Sequence, residues 1–150
     1  MPSPDDTRGG AIVVDASIAA AWCLDDEAGS YPDVVLDVIV QRGARVPSIW
    51  SFEMANVLAA AERRGRIDAA RVRSFLDALL SLPIDVEERS ATELLPALVA
   101  TARAQGLSAY DAAYLELAFR TGAPMATSDR KLRAAATAMG VSLVAPGGSR

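Results

Sequence analysis

Residues 106–132, GLSAYDAAYLELAFRTGAPMATSDRKL, decide how this chain folds. Gly106 ends a preceding helical pattern, and Ser108 and Asp111 stand at capping-box spacing, with Asp in the place usual for Glu. Leu115 and Ala118 follow Asp111 at four and seven residues, with Tyr114 beside them, so the spacing predicts a helix over 108–120 whose inward stripe includes Asp111. Residues 124–127 read as a strand. Asp129 opens a helix to Met139, Gly140 caps it, and 141–144 read as a final strand.

Outward from this stretch the same alternation continues. Residues 11–14, AIVV, form a strand buried on both faces that ends in Asp15 and runs into a helix through Trp22. A helix over about 33–41 precedes a short strand at 45–46, and Pro47-Ser48 opens a long helix to about Arg64. Gly65 and Asp68 set apart a helix over 69–80, which Pro83 closes before a strand at 84–86. Residues 88–105 are helical in pattern but interrupted by Pro96, which predicts a short helix, a break and a second helix from about Leu95. Strands alternating with helices make this an α/β domain with a parallel sheet covered on both faces, over residues 11–145. Residues 1–10 read as a disordered lead and 146–150 as a flexible tail.

Composition removes whole classes of chemistry. The chain has 150 residues and no histidine, so Ser-His-Asp and Cys-His catalysis and imidazole-ligated zinc are out of reach. Its single cysteine, Cys23, forms no intramolecular disulfide and reads as a small buried side chain. No apolar run is long enough for a membrane helix and the first residues do not resemble a signal peptide, so a cytoplasmic protein is expected. The net charge of −4 does not support global steering of nucleic acid. Local groups, Arg63, Arg64 and Arg66 or Arg130, Lys131 and Arg133, can meet phosphates or simply form solvated helix faces, and solvation is the commoner fate.

Four acids stand out. Asp15 and Asp129 each follow a strand directly, and ligands of open α/β sheets bind beyond the carboxyl ends of strands. Glu53 shares a helical face with Ile49, Trp50, Val57 and Ala60, and Asp111 points inward likewise. Each has a structural alternative: Asp15 and Asp129 as helix N-caps, Asp111 as a capping-box acid, Glu53 as the partner of Arg120 or Arg133. The other acids, among them Asp25, Asp26, Glu27, Glu87 and Glu88, lie in polar runs where solvated faces are expected. If the first and fourth strands lie side by side, the four carboxylates converge and repel one another unless protons or a hard cation intervene, which points to Mg²⁺ or Mn²⁺. Such a site suits phosphoryl chemistry. By the same like-charge argument, Asp15→Asn is expected to leave the fold intact and to stabilise the metal-free protein.

At these residues the chain resembles the PIN-domain endoribonucleases, and more narrowly the VapC toxins of bacterial toxin–antitoxin pairs. VVDASIAAAW (13–22) is similar to the family's opening strand with its Asp15 and Ser17, VPSIWSFEMANVL (46–58) to the helix carrying Glu53, and residues 106–132 to the stretch carrying Asp111 and, after Thr127, Asp129. The resemblance implies a PIN-like three-layer α/β/α sandwich with a mostly parallel sheet. It also implies Mg²⁺-dependent RNA cleavage leaving a 5′-phosphate and a 3′-hydroxyl, a homodimer, and inhibition by a cognate VapB-like antitoxin. Within it Asp15 and Asp111 are the most direct metal ligands, Glu53 and Asp129 complete the set, and Ser17 and Thr127 support it.

Two rivals remain. One is a phosphohydrolase in which Asp15 attacks phosphorus, as in haloacid-dehalogenase-like enzymes, although these carry a second Asp where this chain has Ser17. The other is a catalytically silent RNA- or protein-binding module. A nucleotide-cofactor enzyme is not indicated, since no GxxxxGK[ST] loop occurs and Gly9-Gly10 precedes the first strand. Trp22, Trp50 and Tyr110 can stack on bases, but aromatics interleaved with Ala and Ile usually belong to a core.

Overall fold

Four short strands pair in parallel in the order β3-β2-β1-β4. The structure, a computed structural model, describes residues 10–24 and 30–147. Most of the expected lead, Asp25, Asp26 and Glu27, and the last three residues of the expected tail lie outside the described residues. The strands are β1 (Ile12–Val14), β2 (Ala44–Pro47), β3 (Ile84–Glu87) and β4 (Met125–Ala126). Between them run α1 (Ala16–Leu24), α2 (Tyr31–Arg42), α3 (Ile49–Arg63), α4 (Ala69–Leu80), α5 (Ala91–Gln105) and α6 (Ala109–Thr121), and α7 (Arg130–Ala138) follows β4.

The central position of β1 follows from its composition. Ile12, Val13 and Val14 have no accessible surface, which only a strand covered on both faces achieves. The helices supply the cover. Ile18 and Ala19 of α1, Val35 and Ile39 of α2, Met54 and Leu58 of α3, and Tyr114, Leu115 and Leu117 of α6 join the strands in one core. Right-handed crossovers place the helices from β1 to β3 on one face and α5 and α6 on the other, giving three layers. The chain moves outward from β1 through β2 to β3 and then returns to the other side of β1 as β4. The reversal lies between β1 and β4, where Val14 pairs with Ala126, so a ligand crevice is expected beyond their carboxyl ends.

Two elements differ from the sequence reading. Pro96 does not divide its segment, because α5 is continuous and begins at Ala91, where the Ser90 hydroxyl caps the Glu93 amide. The helical hydrogen bond that Pro96 cannot donate belongs to the exposed first turn, where the carbonyl left over can face water. The final strand shrinks to one parallel bridge between Leu143 and Met125, held by Met125 N to Ser142 O (2.8 Å) and Val144 N to Met125 O (2.9 Å). With β4 only two residues long, no longer ladder can form on that edge.

Candidate active site

The turn from β1 into α1 presents the first acid. Asp15 is 8% exposed, and its backbone N–H donates to Ala126 O of β4 at 3.0 Å. Its carboxylate is held from two sides. Ser17 donates its backbone N–H to Oδ1 (3.3 Å) and its hydroxyl to Oδ2 (3.0 Å), and the Thr127 hydroxyl donates to Oδ2 at 2.6 Å. Thr127 has no accessible surface, and its oxygen also accepts the Asp129 backbone N–H at 3.1 Å. One buried hydroxyl therefore fixes the first acid against the loop that carries the fourth. Arg133, stacked over the Tyr31 ring, clamps the same loop by donating to the Thr127 carbonyl at 2.9 Å.

Of the other three acids, two stand at helix starts and one lies within a helix. Asp129 is the N-cap of α7 and accepts from the Leu132 N–H at 2.9 Å, while Asp111, third residue of α6, donates its N–H to the Ser108 hydroxyl at 3.2 Å. Glu53, half-buried on α3, accepts from the Tyr114 hydroxyl of α6 at 2.5 Å. Burial raises the Glu53 carboxyl above its ordinary range, the Tyr114 bond holds it down, and the charges of Asp15 and Asp111 raise it further. Asp111 is raised first by burial and then by Asp129 and Asp15, against the pull of Ser108 and Lys131. Each of the four acids thus lies near enough to act on at least one other, across as many as 96 residues of sequence between Asp15 and Asp111.

Among the described residues, no ion pair reaches any of the four. Arg120 and Arg133, the arginines considered as partners of Glu53, are engaged with Glu116 and Glu87 and with the Thr127 carbonyl respectively. Glu116 is the instructive contrast. It is 7% exposed but paired with Arg89 and Arg120, so its charge is balanced within the protein. Sequence reading does not single it out, and Glu87, which lies in a polar run where a solvated face is expected, is instead the second partner of Arg120 at 2.5 Å. Tyr114 was also missed as a polar contributor. Its only sequence signal is its place three residues after Asp111 on an inward face.

Other expectations resolve simply. Cys23 is buried and free, and Trp22 donates its indole N–H to Pro32 O at 2.8 Å. Trp50 is core, but Tyr110 is 60% exposed because it occupies the outer face of the first turn of α6. Arg63, Arg64, Arg66, Arg130 and Lys131 are exposed and Arg133 half-buried. Among the described residues, no helix is long and apolar enough to cross a membrane. No group of three or more histidine, cysteine, aspartate or glutamate side chains among them is arranged to hold one metal ion by itself.

Two consequences follow for the protein without metal. The expectation that Asp15→Asn stabilises it does not survive the hydrogen bonds just described, because an amide puts a donor where Ser17 and Thr127 already donate; a loss of about 1–3 kcal/mol is expected instead. Glu53 behaves oppositely. A carboxyl whose folded pKa lies above its unfolded value adds stability that is full below the unfolded pKa and lost as pH rises through the folded one. Glu53→Gln keeps an acceptor for Tyr114 without the charge, so its melting temperature should exceed that of the unaltered protein near about pH 8, with the gap closing toward about pH 4. Thermal melts across that interval check both statements, and a pH-independent gap would contradict the second.

A family model described as PIN domain matches residues 12–138. Ribonuclease VapC3 of Pyrobaculum aerophilum is 30% identical over 121 residues, which cover 81% of this chain and 91% of that protein. The crystal structure of PAE2754 from Pyrobaculum aerophilum is similar with a TM-score of 0.65 at 27% identity, covering 84% of each chain.

Proposed function

Because the chain belongs to the PIN-domain family and is of the VapC type, we propose that it is a Mg²⁺-dependent endoribonuclease, the toxin of a toxin–antitoxin pair, with its site at Asp15, Glu53, Asp111 and Asp129. The observation that carries this reading is the set of four mutually repelling carboxylates without an arginine partner, at the point where the sheet order reverses. Their donors are hard oxygens, as Mg²⁺ and its substitute Mn²⁺ require. A cage of three direct ligands is not needed, since Mg²⁺ commonly takes one or two carboxylates and keeps several waters.

Asp15 and Asp111 are the proposed direct ligands, with Glu53 and Asp129 flanking them. When bound, the ion supplies positive charge that polarises a phosphate oxygen and lowers the pKa of a coordinated water. The protein's own part is positional. Ser17 and Thr127 hold the Asp15 carboxylate in one orientation, Tyr114 holds Glu53, and a carboxylate beside the attacking water takes its proton. The same bonds weigh against Asp15 as a nucleophile toward phosphorus, because both of its oxygens already accept hydrogen bonds.

The partners proposed are RNA, a VapB-like antitoxin that covers the site, and a second copy of the chain. Phe52, Leu95 and Tyr110, all more than half exposed, supply apolar surface of the kind a partner buries. Purified protein incubated with mixed RNA should cleave it in Mg²⁺ or Mn²⁺, stop in EDTA and recover when metal is restored. Metal-independent cleavage, or full activity in both Asp15→Asn and Asp111→Asn, would overturn the proposal. Sequencing the RNA ends tests the expected 5′-phosphate and 3′-hydroxyl.

A further inference from the structure

Tyr114 has no accessible surface, yet its hydroxyl is spent on a carboxylate of another helix rather than on a backbone carbonyl. It stands on α6 three residues after Asp111 and donates to Glu53 Oε1 of α3 at 2.5 Å, and the phenol oxygen itself accepts from the backbone N–H of Ala16, next to Asp15. One phenol thus bonds the second acid and feels the charge of the first, Asp15, from a position one helical turn beyond Asp111.

We propose that Tyr114 is a positioning residue: by engaging Oε1 it fixes the Glu53 side chain in one rotamer and leaves Oε2 as the oxygen available to a cation or its waters. Oε2 has no hydrogen-bond partner among the described residues, in keeping with that division of labour. A glutamate has three rotatable bonds, and without an anchor the site would have to order it each time an ion binds. A phenylalanine would fill the same space in the core, so packing alone does not call for the hydroxyl.

The inference rests on the metal-dependent reading of the site, and a double-mutant cycle on metal affinity separates the two. Mn²⁺ binding is measured by electron paramagnetic resonance for the unaltered protein, Tyr114→Phe, Glu53→Gln and the double variant, with a thermal melt of each to confirm folding. Tyr114→Phe should weaken Mn²⁺ binding about tenfold, and the same change made on top of Glu53→Gln should have almost no further effect, because its influence passes through the Glu53 carboxylate. Equal losses in both backgrounds would reduce Tyr114 to a packing residue and overturn the proposal, whether or not the protein cleaves RNA. Failure of the unaltered protein to bind Mn²⁺ would overturn this proposal and the metal-dependent function together. Non-additive losses in a protein that leaves RNA intact would overturn only the function. If Tyr114→Phe does not fold, Glu53→Asp, which retracts the carboxylate from the phenol by one methylene, should show the tenfold loss. Affinity equal to that of the unaltered protein would then refute the role.

Discussion

Asp15→Asn is expected to lower Mg²⁺-dependent RNA cleavage by roughly 10²–10³-fold, the scale seen when one preorganised electrostatic group is removed from an active site. The effect is large because no neighbour can replace this carboxylate. Asp15 is fixed by Ser17 and Thr127 at the end of a wholly buried strand, so its position is set by the rigid core and not by a mobile loop. Removing its charge also removes one of the repulsions that a cation relieves, and the amide should therefore weaken Mn²⁺ binding as well as turnover. Single-turnover cleavage measured across a Mg²⁺ series distinguishes the two contributions. Activity within a few-fold of the unaltered protein at saturating Mg²⁺ would mean that Asp15 is only the cap of α1.

Glu116→Ala carries the largest expected loss of stability, about 3–5 kcal/mol, the usual result of removing one member of a buried ion pair. For a chain of this length that corresponds to a fall in melting temperature of roughly 10 °C. Glu116 balances Arg89 and Arg120, and Arg120 continues to Glu87 at the end of β3, so the network ties α6 to the segment between β3 and α5. Truncation leaves the Arg89 guanidinium poorly solvated, since that side chain is largely buried. Replacing Glu116 and Arg89 together by methionine should restore most of the loss, because two apolar side chains of similar volume need no mutual charge. Chemical denaturation of the three proteins checks this. A loss below about 1 kcal/mol in Glu116→Ala would show that the pair is solvated enough to contribute little.

Glu116 and Glu53 show how far a one-dimensional reading reaches. Both are acids on inward helical faces; local spacing offers Glu116 one partner, Arg120 four residues on, but gives no sign of its second, Arg89, nor of the two acids, Asp15 and Asp111, that Glu53 feels. Arg89 is 27 residues from Glu116 and Tyr114 is 61 from Glu53, so their pairing is decided only when α6 packs beside β3 and α3. Pro96 misled for a related reason. Its local rule is sound, but its cost depends on whether the orphaned carbonyl faces water, and exposure is a tertiary property.

The sequence by itself determined the order and type of nearly every element, because periodicity, caps and glycine stops act within a few residues. It also placed Asp15 and Asp129 at strand ends and Asp111 at a helix start, since those positions are local too. Only the tertiary structure decided that β1 and β4 are neighbours, that Thr127 bonds Asp15 across 112 residues, and which buried acids have arginine partners. Strand adjacency and the pairing of charges on different elements are long-range choices, made by the packing of the whole core around β1, and no window of sequence contains them.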